Sequence, residues 1–350
     1  MKGIELAKAY YEAYGRSMLE SFPEVLPYVA AGVAGSGSEW LGFDDETSTD
    51  HDFGPGFMIF LPGEELVSRR QEFLLERAYA ALPSEFQGFR REKLSPVGGN
   101  RFGVRRMSDF FRSTVGNENG RLTEEEFLRI PEQYLVEATN GAVFYDGSGA
   151  FTKAREALAV LPDDVRLKKL AGEFVRLGQA APYNFERCLS HGETGAAELS
   201  LVEFTEASMH VAFLLSRRYM PYYKWRFRAA ASLPETGSGF SFRAMTEALE
   251  YLITHENSGE VLKEKRKIVE DVTDGLLQTA VQVLTSEGYL LLGENRAHAA
   301  SNPYRMSGVL SENGRPEETA SVRDPGKLAE IVNGLIGNSA LRSLHILSGV

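Results

Sequence analysis

Cysteine is almost absent from the 350-residue chain, because Cys188 is the single example. One thiol excludes an internal disulfide and a cluster of thiolates around a metal, and such usage suits a reducing cytoplasm. No apolar run approaches the ~20 residues that a membrane-spanning helix needs, and the start, MKGIELAKAYYEAYG, is amphipathic rather than signal-like. The sequence therefore predicts a soluble protein of the cytoplasm with no membrane partner.

Positive charge is also scarce. The chain has 38 basic and 49 acidic residues, for a net charge of −11. This balance argues against a broad basic surface, so nucleic acid is not the favoured partner, although a local basic pocket remains open. The apolar fraction of 43% and the aromatic fraction of 11% are ordinary for a folded protein, and the length is sufficient for two domains.

Several common catalytic motifs are missing. The sequence has no Gly-x-x-x-x-Gly-Lys-Ser/Thr, which argues against a P-loop nucleotide hydrolase, and no Gly-x-Ser-x-Gly elbow around Ser36 or Ser38. The six histidines show no spacing typical of zinc ligands. The chemistry must therefore be sought in other side chains.

Strands and helices alternate over the first 150 residues. Apolar side chains recur at helical intervals between residues 4 and 21, and the runs VLPYVAAGVAG (25–35) and Phe57–Leu61 predict two strands. A helical pattern at 64–82 is followed by a strand around 101–107 and a helix that Ser108 or Asp109 would cap. This order indicates α/β or α+β organisation.

The remainder reads as helical, after a short β-like run at VFYDGSGAF (143–151). We therefore predict a first domain at 1–150 and a helical domain at 151–350. Residues 293–324 are rich in Gly, Asn, Ser and Pro and predict a long loop. The predicted helices are 151–160, 163–178, 182–190, 195–218, 241–256, 258–287 and 325–338.

The stretch GSGSEWLGFDDETSTDHDFG (35–54) places an acidic pair after a flexible turn. On a strand, Asp50 and Asp52 would face one side and His51 the other. Two such carboxylates repel each other unless a cation lies between them, and Mg²⁺ (or Mn²⁺) suits that position. A lone Asp-x-Asp is also frequent in solvated loops, and Asp44, Asp45 and Glu46 read as loop or capping residues.

The turn itself suits a phosphate. Glycine lets backbone N–H groups approach closely at Gly35 and Gly37, Ser36 and Ser38 add hydroxyls, and a helix starting there would present its positive end. Metal, phosphates and turn together indicate nucleotidyl transfer, in which divalent ions stabilise the attacking oxygen and the leaving pyrophosphate.

A second candidate segment, RRYMPYYKWRFR (217–228), combines basic and aromatic residues. Lys224, Arg226 and Arg228 match a triphosphate in charge, and Tyr222, Tyr223 or Trp225 can stack on a base. Arg187, from YNFERC (183–188), is a further predicted phosphate contact. The alternative is a helix junction in which basic side chains merely cover aromatic rings.

Gly37-Ser38, eleven residues, then Asp50-His51-Asp52 resembles the signature of the DNA polymerase β nucleotidyltransferase superfamily. The whole chain resembles the bacterial family called domain of unknown function 4037. The resemblance implies an α+β fold, in which a nucleotidyltransferase-like mixed sheet with flanking helices precedes an all-helical C-terminal domain. The matching segments are AGSGSEWLGFDDETSTDHDFGPGF (34–57), GAVFYDGSGAFTKAR (141–155), YNFERC (183–188), LLSRRYMPYYKWRFRAAASLP (214–234) and LRSLHIL (341–347).

The superfamily adds a third carboxylate from a neighbouring strand. The corresponding run here, NRFGVRRMSDFF (100–111), has Arg105 and Arg106 instead. Asp146 is the candidate replacement, although its Asp-Gly step also suits a turn. Glu203 and Glu186 are weaker candidates.

The sequence thus predicts a metal-dependent nucleotidyltransferase. It would move a nucleoside monophosphate from a nucleoside triphosphate to a hydroxyl of an unidentified acceptor, with a small molecule or a protein favoured. Two alternatives are a catalytically degenerate nucleotide-binding sensor or interaction protein, and a helical partner-binding surface on an inert scaffold.

Overall fold

A computed structural model describes residues 1–45, 53–91, 101–290 and 323–350. The chain divides into two compact units. Unit 1 comprises Met1–Thr123 and Ile130–Val160, and unit 2 comprises Glu124–Arg129 and Leu161–Val350. A compact unit need not fold by itself, so the predicted division into domains at residue 150 stays a prediction.

Strands occur in unit 1 and helices in both units. The strands are β1 (Ala30–Val33), β2 (Met58–Leu61), β3 (Glu85–Phe86), β4 (Phe89–Arg90), β5 (Gly103–Arg106) and β6 (Ala142–Asp146). The α-helices are α1 (Gly3–Tyr10), α2 (Arg16–Glu20), α3 (Arg69–Ala80), α4 (Met107–Val115), α5 (Glu124–Arg129), α6 (Glu132–Thr139), α7 (Ala150–Leu158), α8 (Asp163–Gln179), α9 (Glu186–Ser190), α10 (Thr194–Leu215), α11 (Arg226–Ala230), α12 (Phe242–Thr254), α13 (Gly259–Ser286), α14 (Pro325–Gly334) and α15 (Ser339–Ser343).

Unit 1 is built on a mixed four-stranded sheet in the order β5-β2-β1-β6. β1 is antiparallel to both β2 and β6, whereas β2 and β5 run parallel. A bulge in the β1–β6 pairing falls between Ala31 and Gly32. A Cβ atom on Gly32 would lie 2.3 Å from the carbonyl oxygen of Ala142, so this position requires glycine. β1 and β2 are buried at all four residues, as their apolar sequences predict.

Aromatic rings dominate the core of unit 1 beside the sheet. Tyr11 and Phe57 meet edge to face at 5.2 Å between ring centres, and Phe57 meets Tyr79 at 5.1 Å. The Tyr79 hydroxyl accepts a hydrogen bond from the backbone N–H of Phe57 at 3.0 Å, and burial raises its pKa to about 12. These contacts hold the chain that enters β2.

Unit 2 is helical, with α8 buried at its centre. Four charged side chains of α8 are buried, namely Arg166, Lys168, Lys169 and Glu173. Lys168 Nζ donates to Asn333 Oδ1 at 2.9 Å and to the carbonyl oxygen of Leu344 at 2.7 Å, while Glu173 accepts from Arg176 at 2.9 and 3.0 Å. Such partners are what make buried charges tolerable, and they tie α8 to the last segments of the chain.

The α+β class is confirmed, with a mixed sheet and flanking helices followed by a helical remainder. One local expectation is wrong. α4 begins at Met107 after Arg106, without a side-chain cap, and Asp109 instead accepts from Arg112 at 2.9 Å. β2 begins at Met58, one residue after the predicted start at Phe57. Most of the predicted loop at 293–324 lies outside the described residues.

Among the helices that the structure describes, none combines the length and apolar character needed to cross a bilayer.

Candidate active site

The Gly35–Ser38 turn follows β1 and is fixed to the chain that precedes β6. Gly35 N–H donates to Asn140 Oδ1 at 2.9 Å, and Asn140 Nδ2 donates to the Gly35 carbonyl oxygen at 2.7 Å. Asn140 therefore holds both polar groups of this residue. The N–H of Gly35, which we expected to face a phosphate, is already used, whereas the hydroxyls of Ser36 and Ser38 have no hydrogen-bond partner in the described residues.

Gly37 packs under an ion pair. Arg101 Nη2 donates to the carbonyl oxygen of Ser36 at 3.0 Å and to the Glu39 carboxylate. A Cβ atom on Gly37 would lie 2.1 Å from Arg101 Nη2, so there is no space for a side chain. The φ of +136° at Gly37 independently favours glycine. Burial raises the pKa of Glu39, and the neighbouring Arg101 opposes that shift.

The helix that we expected after the turn is a single 3₁₀ turn, Glu39–Leu41. It is too short to develop the dipole of an α-helix. The turn must therefore act through its own groups rather than through a helix terminus.

A cavity of about 430 Å³ opens within unit 1 beside this turn. This volume lies in the range of small-molecule and cofactor sites. Its wall combines backbone of the turn with aromatic, hydroxyl and charged side chains. The lining residues are Ala34, Gly35, Ser36, Trp40, Met58, Arg101, Phe102, Val104, Arg105, Phe110, Ser113, Thr114 and Glu137.

Arg105 supplies a half-buried cation to this cavity. Its Nη2 donates to the backbone oxygen of Asp109 at 3.0 Å and to Ser113 Oγ at 2.6 Å. Burial lowers the pKa of Arg105, although the Asp109 charge opposes this shift. The position that we examined for a third carboxylate thus carries the opposite charge.

Glu137, on α6, supplies a carboxylate to the same cavity. It has no ion-pair or hydrogen-bond partner within the described ranges, and burial raises its pKa. A carboxylate with a raised pKa in a cavity is suited to taking a proton from a hydroxyl.

The predicted metal ligands Asp50 and Asp52 lie outside the described residues. On one side of that segment, Asp44 Oδ2 accepts from Gly3 N–H at 2.8 Å. On the other side, Gly32 of β1 pairs with Met58, which places the start of β2 at the same end of the sheet as the turn. No group of three or more His, Cys, Asp or Glu side chains in the described ranges is arranged to hold a metal ion. The metal site at Asp50 and Asp52 stays a prediction, which rests on carboxylates being the donor type that Mg²⁺ prefers.

The candidate third acid, Asp146, lies away from the turn. It pairs with Ala30 at the start of β1, three residues before Val33, which corresponds to about 10 Å along a strand. Its two oxygens accept from Gly149 N–H and Thr152 N–H, both at 2.8 Å. Asp146 thus caps the start of α7, the turn role that its sequence also allowed, and its catalytic role stays a prediction.

The two weaker candidates, both in unit 2, are paired with arginines. Glu186 accepts from Arg266 at 2.7 and 2.9 Å, and these bonds lower the pKa of the Glu186 carboxyl. Glu203 accepts from Arg176 at 2.7 Å. An ion-paired carboxylate is a poor base, so neither geometry favours proton transfer.

The predicted nucleotide contacts of unit 2 make local interactions. Lys224 Nζ lies 5.3 Å from the ring centre of Trp225, and the Arg187 guanidinium lies 5.3 Å from that of Tyr183. Arg226 Nη1 donates to Glu206 Oε1 at 2.6 Å. The exposed ring of Tyr223 contacts Tyr222, with 4.4 Å between ring centres. These contacts match the alternative of basic side chains covering rings, and the nucleotide roles stay predictions.

A second cavity, of about 400 Å³, lies within unit 2. Phe185 and Glu186 line it, but Arg187, Tyr223, Lys224 and Arg226 do not. The segment YNFERC therefore contributes to a cavity through residues other than the predicted arginine.

Sequence reasoning missed Arg101, Glu137 and Asn140. Arg101 and Asn140 act through contacts between residues distant in sequence, which no spacing pattern reveals. The sequence signal for Asn140 is its position directly before GAVFYDGSG. The signal for Glu137 is the helical pattern of α6, a helix that the sequence analysis does not assign.

No curated protein is significantly similar to the chain. A crystal structure of a nucleotidyltransferase-like protein from Exiguobacterium sibiricum 255-15 is 11% identical, with 80% of each chain covered and a TM-score of 0.32. These values are too low to establish a shared fold or activity.

The family model described as "Domain of unknown function (DUF4037)" matches residues 127–226. That range covers less than half of the chain, and it includes GAVFYDGSGAFTKAR and YNFERC but not the acidic turn. Over residues 127–226 the chain therefore matches the family Domain of unknown function (DUF4037), which confirms the resemblance carried by its motifs.

Proposed function

We propose that the protein is a metal-dependent nucleotidyltransferase that moves a nucleoside monophosphate from a nucleoside triphosphate to the hydroxyl of an acceptor. One observation carries this proposal. Gly35 and Ser36 of the glycine-serine turn, which was found in sequence by its spacing to Asp50 and Asp52, line a cavity of ligand size that also contains a half-buried arginine. A random surface turn would not be expected to border such a cavity.

Each group of residues has its own role in the proposed reaction. Ser36 and Ser38 would donate hydroxyl hydrogen bonds to the phosphate chain, on a turn held by Asn140. Asp50 and Asp52 would hold Mg²⁺, which when bound would stabilise the negative charge that develops on the phosphate oxygens during transfer. Glu137 would accept the proton of the acceptor hydroxyl, and Trp40 and Phe102 offer rings beside the cavity for the base.

The test uses nucleoside triphosphates labelled at the α-phosphate, with Mg²⁺ and a cell extract freed of macromolecules as the source of hydroxyl acceptors. The wild-type protein should release pyrophosphate and form a labelled product. Asp50→Asn and Asp52→Asn should each lose this activity by about 100-fold or more, because a metal ligand is lost. Asp271→Asn, at an exposed position of α13, is the matched control and should remain active. Unchanged rates in both site variants would refute the mechanism.

A second candidate is a nucleotide sensor without turnover. The arginine in place of an acid on β5 favours it. Calorimetry with ATP, CTP, GTP and UTP distinguishes the two functions, since a sensor binds a nucleotide without releasing pyrophosphate.

A further inference from the structure

The guanidinium of Arg105 is held in one orientation by three contacts. Nη2 donates to the Asp109 carbonyl oxygen and to Ser113 Oγ, and the guanidinium carbon lies 5.8 Å from the ring centre of Phe110. Ser113 in turn donates to the Phe110 carbonyl oxygen at 2.9 Å, which fixes its hydroxyl. A fixed guanidinium loses little side-chain entropy when a ligand binds.

Its charge is not neutralised within the described residues. Asp109, whose charge acts on the Arg105 pKa, pairs with Arg112 at 2.9 Å. Both bonds of Arg105 use Nη2, so the N–H groups of Nε and Nη1 have no acceptor in the part of the chain that the structure describes. These groups lie on different edges of the guanidinium, because Cδ occupies the side between Nε and Nη1, so an oxyanion can take one charge-assisted hydrogen bond from either of them.

The position of Arg105 separates it from the turn. β2 lies between β5 and β1, and Arg105 pairs with Phe60, which pairs with Ala30, so the Arg105 backbone lies about 10 Å across the sheet from Ala30, five residues before Gly35. Both line the same cavity. A single phosphate bound at the turn would therefore leave Arg105 for a second anionic group.

We propose that Arg105 is an oxyanion-binding subsite of this cavity, which takes a phosphate or carboxylate group through a charge-assisted hydrogen bond from Nη1 or Nε. This inference rests on the proposed function, in which the anion has two possible sources. It is either the far end of the nucleotide phosphate chain or an acidic group on the acceptor, in which case the acceptor is a hydroxyl compound that also carries a phosphate or carboxylate.

The experiment measures binding of inorganic phosphate by calorimetry in metal-free buffer. Arg105→Gln should bind phosphate at least ~10-fold more weakly than wild type, because a charge-assisted hydrogen bond is lost. Arg105→Lys should show an intermediate loss, since it keeps the charge but not the planar guanidinium that Asp109 and Ser113 hold in place. Arg70→Gln, at an exposed position of α3, is the matched control and should bind like wild type. Melting temperatures without phosphate show whether each variant is folded.

Equal phosphate affinity in wild type and Arg105→Gln would overturn the proposal, as would no phosphate binding by wild type. Repeating the titration with saturating ATP distinguishes the sources. If ATP displaces phosphate and Arg105→Gln lowers the affinity for ATP, the anion belongs to the nucleotide. If phosphate still binds in an Arg105-dependent way, it belongs to the acceptor. Asp50→Asn should keep phosphate binding, so failure of the transferase proposal is distinguishable from failure of the subsite.

Discussion

At the scale of single residues, Arg105 and Glu137 line the cavity of unit 1 with opposite charges, and no ion pair joins them within the described residues. Burial disfavours the charged form of each side chain. Residues kept in such an environment cost stability and are typical of functional sites. Glu137 therefore differs from Asp146, whose two carboxylate oxygens each accept a backbone hydrogen bond at the start of α7.

Glu137→Gln should therefore raise stability while lowering activity. A raised pKa means that the folded chain holds the proton of Glu137 more tightly than the unfolded chain does, so ionisation costs stability as the pH rises above the ordinary pKa of 4.5. The variant should melt higher than wild type at pH 7, and the difference should vanish near pH 4. Transfer activity should fall by about 100-fold, the usual size of a lost general base.

The measurement is a series of thermal melts from pH 4 to pH 8, beside the transfer assay. Glu76→Gln, an exposed position of α3, is the control and should change neither quantity. A Glu137→Gln protein that is less stable than wild type at pH 7 would contradict the assignment, because it would reveal a stabilising partner.

At the scale of structural elements, the Gly35–Ser38 turn depends on the chain segment between α6 and β6. Arg155 of α7 donates to the carbonyl oxygens of Ala138, Thr139 and Asn140, and Asn140 then binds Gly35. Burial lowers the pKa of Arg155 to about 10, which leaves it charged at neutral pH. The end of α6 is thus fixed on one side by Arg155 and fixes the turn on the other.

Asn140→Ala should loosen the turn and weaken nucleotide binding. The change removes two hydrogen bonds, each of which contributes about 1 kcal/mol to the free energy of unfolding. Urea denaturation should show a loss of about 1–3 kcal/mol, and calorimetry with ATP should show weaker binding. Asn119→Ala, in an exposed turn of the same unit, removes one acceptor and should leave ATP binding unchanged. Wild-type ATP affinity in Asn140→Ala would refute a positioning role.

Patterns local in sequence predicted the elements well. The apolar runs of β1 and β2 and the helical periods of α8, α10 and α13 correspond to the structure within a few residues. The start of α4 was misplaced because Ser108 and Asp109 were read as caps, although the strand β5 passes directly into the helix at Arg106. α6 was not assigned, and with it the carboxylate of Glu137 was missed.

The site was less predictable than the elements. The turn was found because glycine and serine carry a local signal, and Arg105 was noticed only as an unexpected residue on a strand. The reciprocal bonds of Asn140 and the ion pair of Arg101 with Glu39 join residues far apart in the chain. Only the fold brings such residues together, so no pattern within one segment indicates them.

At the scale of the whole molecule, the net charge of −11 argues against nucleic acid as a partner. Affinity for nucleic acid comes largely from neutralised phosphates, so an acidic protein gains little from it. The chain should not retard tRNA or double-stranded DNA in a gel at about 150 mM salt and micromolar protein, where non-specific binding is otherwise weak. Retention of tRNA at that salt concentration would indicate a basic groove and make RNA the favoured acceptor.

The central claim is that the cavity of unit 1 binds a nucleoside triphosphate against the Gly35–Ser38 turn. The most direct measurement is a crystal structure of the protein soaked with the four nucleoside triphosphates and Mg²⁺. We predict nucleotide density in this cavity, with phosphate oxygens at Ser36 and Ser38 and a metal ion at Asp50 and Asp52. Nucleotide bound elsewhere, with this cavity empty and no metal at Asp50 and Asp52, would contradict the claim.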